Sequence, residues 1–256
     1  MNLTFYKYQG TGNDFVMIDN RAKTFPKENT DFISHLADRH FGVGADGIIL
    51  IENESNFDFK MIYFNPDGSQ TFCGNGARCA VAFAKRLEII KDKTTFIAAD
   101  GEHFAEIKND IISLQMINVN NIQVNENSVF MHTGTQHHVE LVDDLNEYPV
   151  FENGKEIRNS YQDPGSNVNF VQQIDATSFR VRTYEKGVEN ETLACGTGVT
   201  AVAIAMHKTN KTKSNVVSLS TEGGHLEVSF TEGKGIYKNV FLKGPAKFVF
   251  KGTITI

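Results

Sequence analysis

A chain of 256 residues, 40% hydrophobic and 22% charged, has the composition of a soluble globular protein and length enough for one large or two ordinary domains. Its net charge of −6 argues against nucleic acid as a partner, and no apolar run approaches a membrane span. Three cysteines are too few for a disulfide framework, and the start MNLTFYKYQG lacks the basic-then-apolar layout of a secretory signal, so a reducing cytoplasm is expected.

In chain order, FYKY, FVMID, GIILIE and FKMIYFN are short strand candidates, rich in aromatic and β-branched residues. Between the second and third, NTDFISHLADRHFG predicts a helix. Asn29 or Thr30 can cap it, Phe32, Ile33, Leu36 and Ala37 form its apolar stripe, and Gly42 can end it. GVGADG (42–47) has the spacing G-x-G-x-x-G, but a helix precedes it and a strand follows. That is the reverse of a dinucleotide-binding turn, so a glycine-rich helix-to-strand connection is preferred. FCGNGARCAVAF (72–83) opens a helix of small apolar residues, and ACGTGVTAVAIA (194–205) opens another. Both are apolar on nearly all sides, which predicts burial among strands. Each is followed by a strand pair with a glycine turn, TFIAADGEHFAEI and VVSLSTEGGHLEVSF. KFVFKGTITI is a last strand.

The chain reads as a duplication. Cys73-Gly74 recurs as Cys195-Gly196 and DGEH (100–103) as EGGH (222–225), both 122 residues on. FKMIYFN resembles FRVRTYE 120 residues on, and GTGNDFVMID resembles GTQHHVELVD 124 residues on. Short loops and alternating patterns place the fold in the α+β class. Two similar halves are expected: residues 1–117, completed by the C-terminal strand 246–256, and residues 118–245.

No C-x-x-C pair exists, and His137-His138 is the single close histidine pair, so no metal site is expected. Cys79 lies inside the small-residue run and reads as core packing. Cys73 and Cys195 differ, because each stands where a helix begins. There the unpaired N–H groups and the positive end of the helix dipole favour a thiolate and attract a carboxylate. One such cysteine suits a hydrolase-type nucleophile. Two, from duplicated halves, suit inversion at carbon: one thiolate removes the α-proton and the other thiol delivers a proton to the opposite face. The plainer alternative is two buried cysteines at duplicated packing positions; the flanking glycines favour the chemical reading.

At these motifs the sequence resembles the diaminopimelate epimerase family. The resemblance runs through GTGNDFVMID, FGVGADG, NPDGSQTFCGNGARC, TGTQHHV, NVNF, YEKGVENETLACGTG and GPAKFVFKG, essentially the whole chain. It implies two pseudo-symmetric α/β halves, each a β-barrel-like sheet around a central helix, with the active site between them. It implies epimerisation of LL-2,6-diaminopimelate to the meso form, in lysine and peptidoglycan precursor synthesis, without pyridoxal phosphate, metal or flavin. Carried over by motif, Cys73 and Cys195 are the acid–base pair. Asn13, Asn65, Gly74, Asn75, His137, Asn167, Glu185, Lys186, Gly196 and Thr197 fall at substrate-binding positions. The family usually has Glu-Arg where this chain has Glu185-Lys186. Lysine lacks the planar two-bond clamp that arginine makes on a carboxylate, so a weaker or differently arranged hold on the distal carboxylate is expected. The implied partner is a small amino acid, with a homodimer as the candidate assembly. Another two-thiol amino-acid racemase, or a non-catalytic amino-acid-binding module, are the competing functions.

Overall fold

The computed structural model describes residues 2–162 and 165–255. The chain divides into two compact units, Met1–Leu114 with Gly244–Ile256, and Gln115–Lys243.

The first unit begins with β1 (Asn2–Gly10), β2 (Asn13–Asp19), α1 (Thr30–Ala37), β3 (Gly47–Glu54) and β4 (Phe57–Phe64). It continues with α2 (Gly74–Arg86), β5 (Lys93–Ala98), β6 (Gly101–Lys108) and β7 (Ile111–Gln115). Successive pairings from β1 to β7 run antiparallel, parallel, antiparallel, parallel, antiparallel, antiparallel. The two parallel steps are the two places where a helix intervenes, as a parallel connection requires. The strands between the helices are covered on both faces, so their side chains sort by alternation. Ile48, Leu50, Ile62 and Phe64 join the cluster under α1 with Ile33 and Leu36. Ile49 and Met61 face the other way, onto α2, where a Cβ at Gly76 would meet them at 2.9 and 3.5 Å. This explains why β3 reads as a continuous apolar run.

The second unit holds β8 (Gln123–Val124), β9 (Ser128–His132), β10 (Gln136–Leu141), α3 (Val150–Ser160), β11 (Asn167–Gln173) and β12 (Ser178–Glu185). There follow β13 (Asn190–Thr192), α4 (Gly196–Lys208), β14 (Val216–Thr221), β15 (Gly224–Gly233) and β16 (Ile236–Pro245). With β13 set aside as a short addition to β12, the pairings from β9 to β16 repeat the first unit's order of senses. The helices stand at the same two crossovers. Even the last hairpin repeats: Asn109-Asp110 and Lys234-Gly235 both take positive φ, the backbone of a tight primed turn. In each unit the long helix lies against several strands and is almost wholly buried. Gly74–Val81 in α2 and Val199–Met206 in α4 are closed to solvent throughout. Finally β17 (Lys247–Thr255) pairs antiparallel with β1, as β8 does with β9.

Two sequence expectations need correction. α1 ends at Ala37, not at Gly42: Asn29 caps its start, but Asp38 turns the chain by accepting the N–H groups of His40 and Phe41 at 2.7 Å. Gly42 instead packs on the helix end, where a Cβ would collide with the carbonyl of His35. The glycine hairpins correspond at 123 residues, not 122. Ala98 pairs Gly101 and Thr221 pairs Gly224, both glycines with φ near +130 (129° and 136°). His103 and His225 are therefore not equivalent. One stacks on Phe72 at 4.3 Å and the other bonds Ser220. Among the described residues no helix is long and apolar enough to cross a membrane.

Candidate active site

In each unit a cysteine is the residue immediately before the buried helix. Cys73 has φ −130°, ψ 116° and Cys195 has φ −114°, ψ 113°, the extended backbone of an N-cap. The side chain at such a position lies beside the free N–H groups of the first turn. For Cys73 this is direct, since the Gly76 N–H donates to its sulfur at 3.4 Å. The third residue after each cysteine is a glycine, and a strand side chain crowds it in both units. A Cβ on Gly198 would sit 2.4 Å from Asn169 Oδ1 and 3.3 Å from Cys195 Sγ.

Around Cys73 the structure gathers Asn13 and Asn75. Asn13 is the first residue of β2. Its Oδ1 accepts the Cys73 thiol at 3.6 Å and the Asn75 amide at 3.4 Å. Its own amide donates to Asp46 Oδ2 at 2.6 Å, which fixes the flip of the side chain. Asp46 is held by Arg39 at 2.6 Å, and Arg39 also bridges Asp14 at 2.7 Å. Burial works against the Asp14 carboxylate, yet Arg39 and Lys7 outweigh it and hold its pKa at about 2. The loop GVGADG thus serves the site through Asp46, a role that its reading as a plain turn missed. Gly74 is the first helical residue behind the thiol and is buried. Asn65 follows β4, and its amide bonds Ser69 and Thr71 within its own loop.

Around Cys195 the second unit gathers Thr197, Asn167 and, one step back, His137. Thr197 Oγ1 stands 3.5 Å from the sulfur, and Asn167 Nδ2 donates to it at 4.0 Å. Asn167 opens β11, and its Oδ1 accepts the Lys186 N–H at 2.9 Å, which ties it to the end of β12. Glu185 ends that strand and accepts the Thr192 hydroxyl at 2.6 Å. Gly196 is buried at the first helical position.

His137 stands one step behind Thr197. It is fully buried, with Nε2 on Thr197 Oγ1 at 2.9 Å and Nδ1 on the Asn169 amide at 3.1 Å. Burial, helped by His132 and Lys186, lowers its pKa to about 3, so the ring is neutral. Its reach to the site runs through Thr197. Asn169 was also missed. Its amide bonds the His138 carbonyl at 2.8 Å and its Oδ1 accepts the Thr183 hydroxyl at 3.0 Å. Two asparagines spaced by two on one strand, Asn167 and Asn169, share a face, and that spacing was the available signal. Cys79 is core: it is fully buried and burial raises its thiol pKa. Among the described residues, no three His, Cys, Asp or Glu side chains are grouped as a metal would need.

Such an arrangement provides two thiols, each at a helix start and each lodged against neutral amide or hydroxyl groups. A carboxylate can be received by the helix N–H groups, and the sulfur beside it can exchange a proton. Comparison with known proteins agrees with this chemistry. The sequence profile described as diaminopimelate epimerase matches residues 5–126 and 129–249. A diaminopimelate epimerase of Flavobacterium psychrophilum is 59% identical, with 98% of this chain and all of that one covered. One from Aquifex aeolicus is 40% identical over 99% of this chain and 98% of its own. Among solved structures, a PhzF-family phenazine biosynthesis protein of Bacillus anthracis superposes with TM-score 0.80 at 13% identity over the whole of both chains. A hydroxyproline epimerase of Agrobacterium vitis gives 0.70 at 15% identity, covering 99% of this chain and 92% of that one. At such identities these two speak for the fold alone, while the sequence relatives speak for more: the chain belongs to the diaminopimelate epimerase family.

Proposed function

We propose that Cys73 and Cys195 are the two acid–base groups of a cofactor-independent epimerase. Family membership makes the chain an isomerase that converts LL-2,6-diaminopimelate to the meso form, in lysine biosynthesis. In the proposed reaction one thiolate takes the α-proton as the Cα–H bond breaks. The electron pair passes towards the substrate carboxylate. The other thiol then gives its proton to the opposite face of the carbon and is left as the thiolate. The observation that carries this reading is the repeated placement of a cysteine as the N-cap of a buried helix. N–H groups at Gly74-Asn75 and Gly196-Thr197 are suited to stabilise the carboxylate as charge builds on it. Asn13, Asn65, Asn167, Glu185 and Lys186 are assigned to substrate binding, with His137 acting through Thr197. A small amino acid is the partner. A homodimer, to be judged by mass in solution, and a cytoplasmic location complete the reading.

Turnover in deuterium oxide tests it. Label should enter one stereocentre, and Cys73→Ala or Cys195→Ala should each lower the rate in both directions by about 10²–10⁴-fold. Near-normal activity in either folded variant would remove the two-thiol scheme.

A further inference from the structure

Arg78 lies in the second turn of α2, five residues beyond Cys73, and is closed to solvent on every atom. A buried guanidinium normally has a carboxylate partner, because an isolated buried charge is costly. This one has none. Its Nη2 donates to Thr11 Oγ1 at 2.9 Å, while Nε and Nη1 have no hydrogen-bond partner among the described residues. Several charged groups on the strands against α2 are engaged elsewhere. Lys7 of β1 pairs Asp14 of β2, Glu52 of β3 pairs Lys27, Asp58 of β4 bonds Thr94, and His103 and Glu106 of β6 pair Asp100 and Lys93. The groups that feel Arg78 are the thiols of Cys79 and Cys73. Cys79 is sealed in the core, which leaves Cys73 as the one able to ionise against solvent or substrate.

Its hydrogen-bond partner is unusual as well. Thr11 holds φ at +52°, a left-handed conformation that β-branched residues avoid, and it is buried in the turn between β1 and β2. Two residues on is Asn13, which accepts the Cys73 thiol. Gly10, the residue before Thr11, approaches α2 so closely that a Cβ would lie 3.4 Å from Arg78 Nη2 and 3.3 Å from Cys79 Sγ. The equivalent position in α4 is Thr200, whose hydroxyl bonds back to the Gly196 carbonyl. The two helix starts are therefore alike in backbone and unlike in charge.

We infer that Arg78 is a positioning residue for Cys73: its uncompensated buried charge favours the Cys73 thiolate, and its bond to Thr11 holds the strained turn that seats Asn13 on that sulfur. The inference rests on Cys73 being one of the two acid–base groups, but its first readout needs no turnover. The Cys73 thiolate becomes the anion that the guanidinium lacks. At the equivalent position of α4 stands the neutral Thr200, so this effect belongs to the Cys73 helix.

The test is the pH dependence of iodoacetamide alkylation, resolved by peptide mass spectrometry at Cys73 and at Cys195 in the same sample. Arg78→Gln, which can still bond Thr11 but carries no charge, is expected to raise the Cys73 midpoint by about one pH unit. That is a tenfold loss of thiolate near neutrality. The Cys195 midpoint should not move. Arg78→Lys keeps the charge and should leave the Cys73 midpoint in place; Thr11→Val keeps it too, and with Asn13 loosened from the thiol the midpoint should move only downward and by less than a unit. Thr11→Val should instead raise KM or lower kcat as Asn13 loses its seat. An unmoved Cys73 midpoint in folded Arg78→Gln overturns the inference. So does a shift of a full unit in Arg78→Lys or Thr11→Val, which decides the matter even where the glutamine variant fails to fold. Inactivity of Cys73→Ala bears on the two-thiol scheme, not on this result, so the two failures are distinguishable.

Discussion

At the scale of single residues, burial can enforce the neutrality of a group that stands behind the site. His137 shows how. Its unfolded value is 6.5, and burial brings the folded value to about 3. Between those limits the unfolded chain binds a proton that the folded chain refuses, so stability rises with pH there. The contribution is whole above about pH 6.5 and is lost as pH falls from there towards 3. Between pH 8 and pH 5 this group should cost the wild type on the order of 2 kcal/mol. Urea unfolding at the two pH values measures it. His137→Asn should be less stable than wild type at pH 8, through two lost hydrogen bonds, but should lose less on going to pH 5. His138, also lowered by burial though opposed by Glu140, supplies the slope that remains. An unchanged slope in the variant would show that His137 is not the proton-refusing group. The placement of the two cysteines at helix starts was legible, because a run of small apolar residues opens behind each one. The burial of His137 was not legible, since a histidine motif reads the same whether it faces ligand or core. Arg78 was hidden for a related reason: an arginine inside an apolar helix looks like a surface residue until the turn that covers it is known.

At the scale of elements, the helix start is set by what its glycines allow. A Cβ on Gly76 would meet Ile49 Cδ1 at 2.9 Å, the tip of a side chain that can turn away. A Cβ on Gly198 would meet Asn169 Oδ1 at 2.4 Å, and that amide is fixed by bonds to His137, His138 and Thr183. Gly198→Ala should therefore cost more than Gly76→Ala, about 2–3 kcal/mol against about 1. It should also displace Thr197 and Cys195, so its rate should fall further than its stability explains. Thermal unfolding and initial rates of the two variants decide this; equal losses in both would count against the rigidity of the Asn169 network. The element pattern was largely legible, since small-residue helices and alternating strands follow from composition and period. What failed was fine register. A likeness of four residues placed the DGEH and EGGH hairpins one residue out, and in a strand one residue exchanges the two faces. The α1 end failed because a glycine used for close packing looks like a glycine used for stopping.

At the scale of the whole molecule, one ancestral unit has been used twice, with the same order of strand senses and helices at the same crossovers. Its edge, however, is finished differently in the two copies. In the second unit the short β8, just upstream, covers β9. In the first the cover is β17, from the far end of the chain, paired with β1 from Asn2↔Thr255 to Gln9↔Lys247. Its fit is close: Gly252 passes so near the Phe5 ring that a Cβ would come within 2.5 Å, and Ile254 packs on the cluster that holds Leu3 and Phe5. Removing residues 247–256 would uncover the β1 edge and expose Leu3 and Phe5, each worth about 1.5–3 kcal/mol of burial. β1 also leads into the turn that carries Thr11 and Asn13, so the loss should travel along the strand to Cys73. Hydrogen exchange on the truncated chain should show lost amide protection in β1 and β2, while β10, β11 and α4 keep theirs. Cys73 should alkylate differently and Cys195 as before. Uniform loss across both units would mean that the chain folds as one cooperative body, whereas protection left intact in β1 would mean that its inner partner β2 alone suffices to hold it.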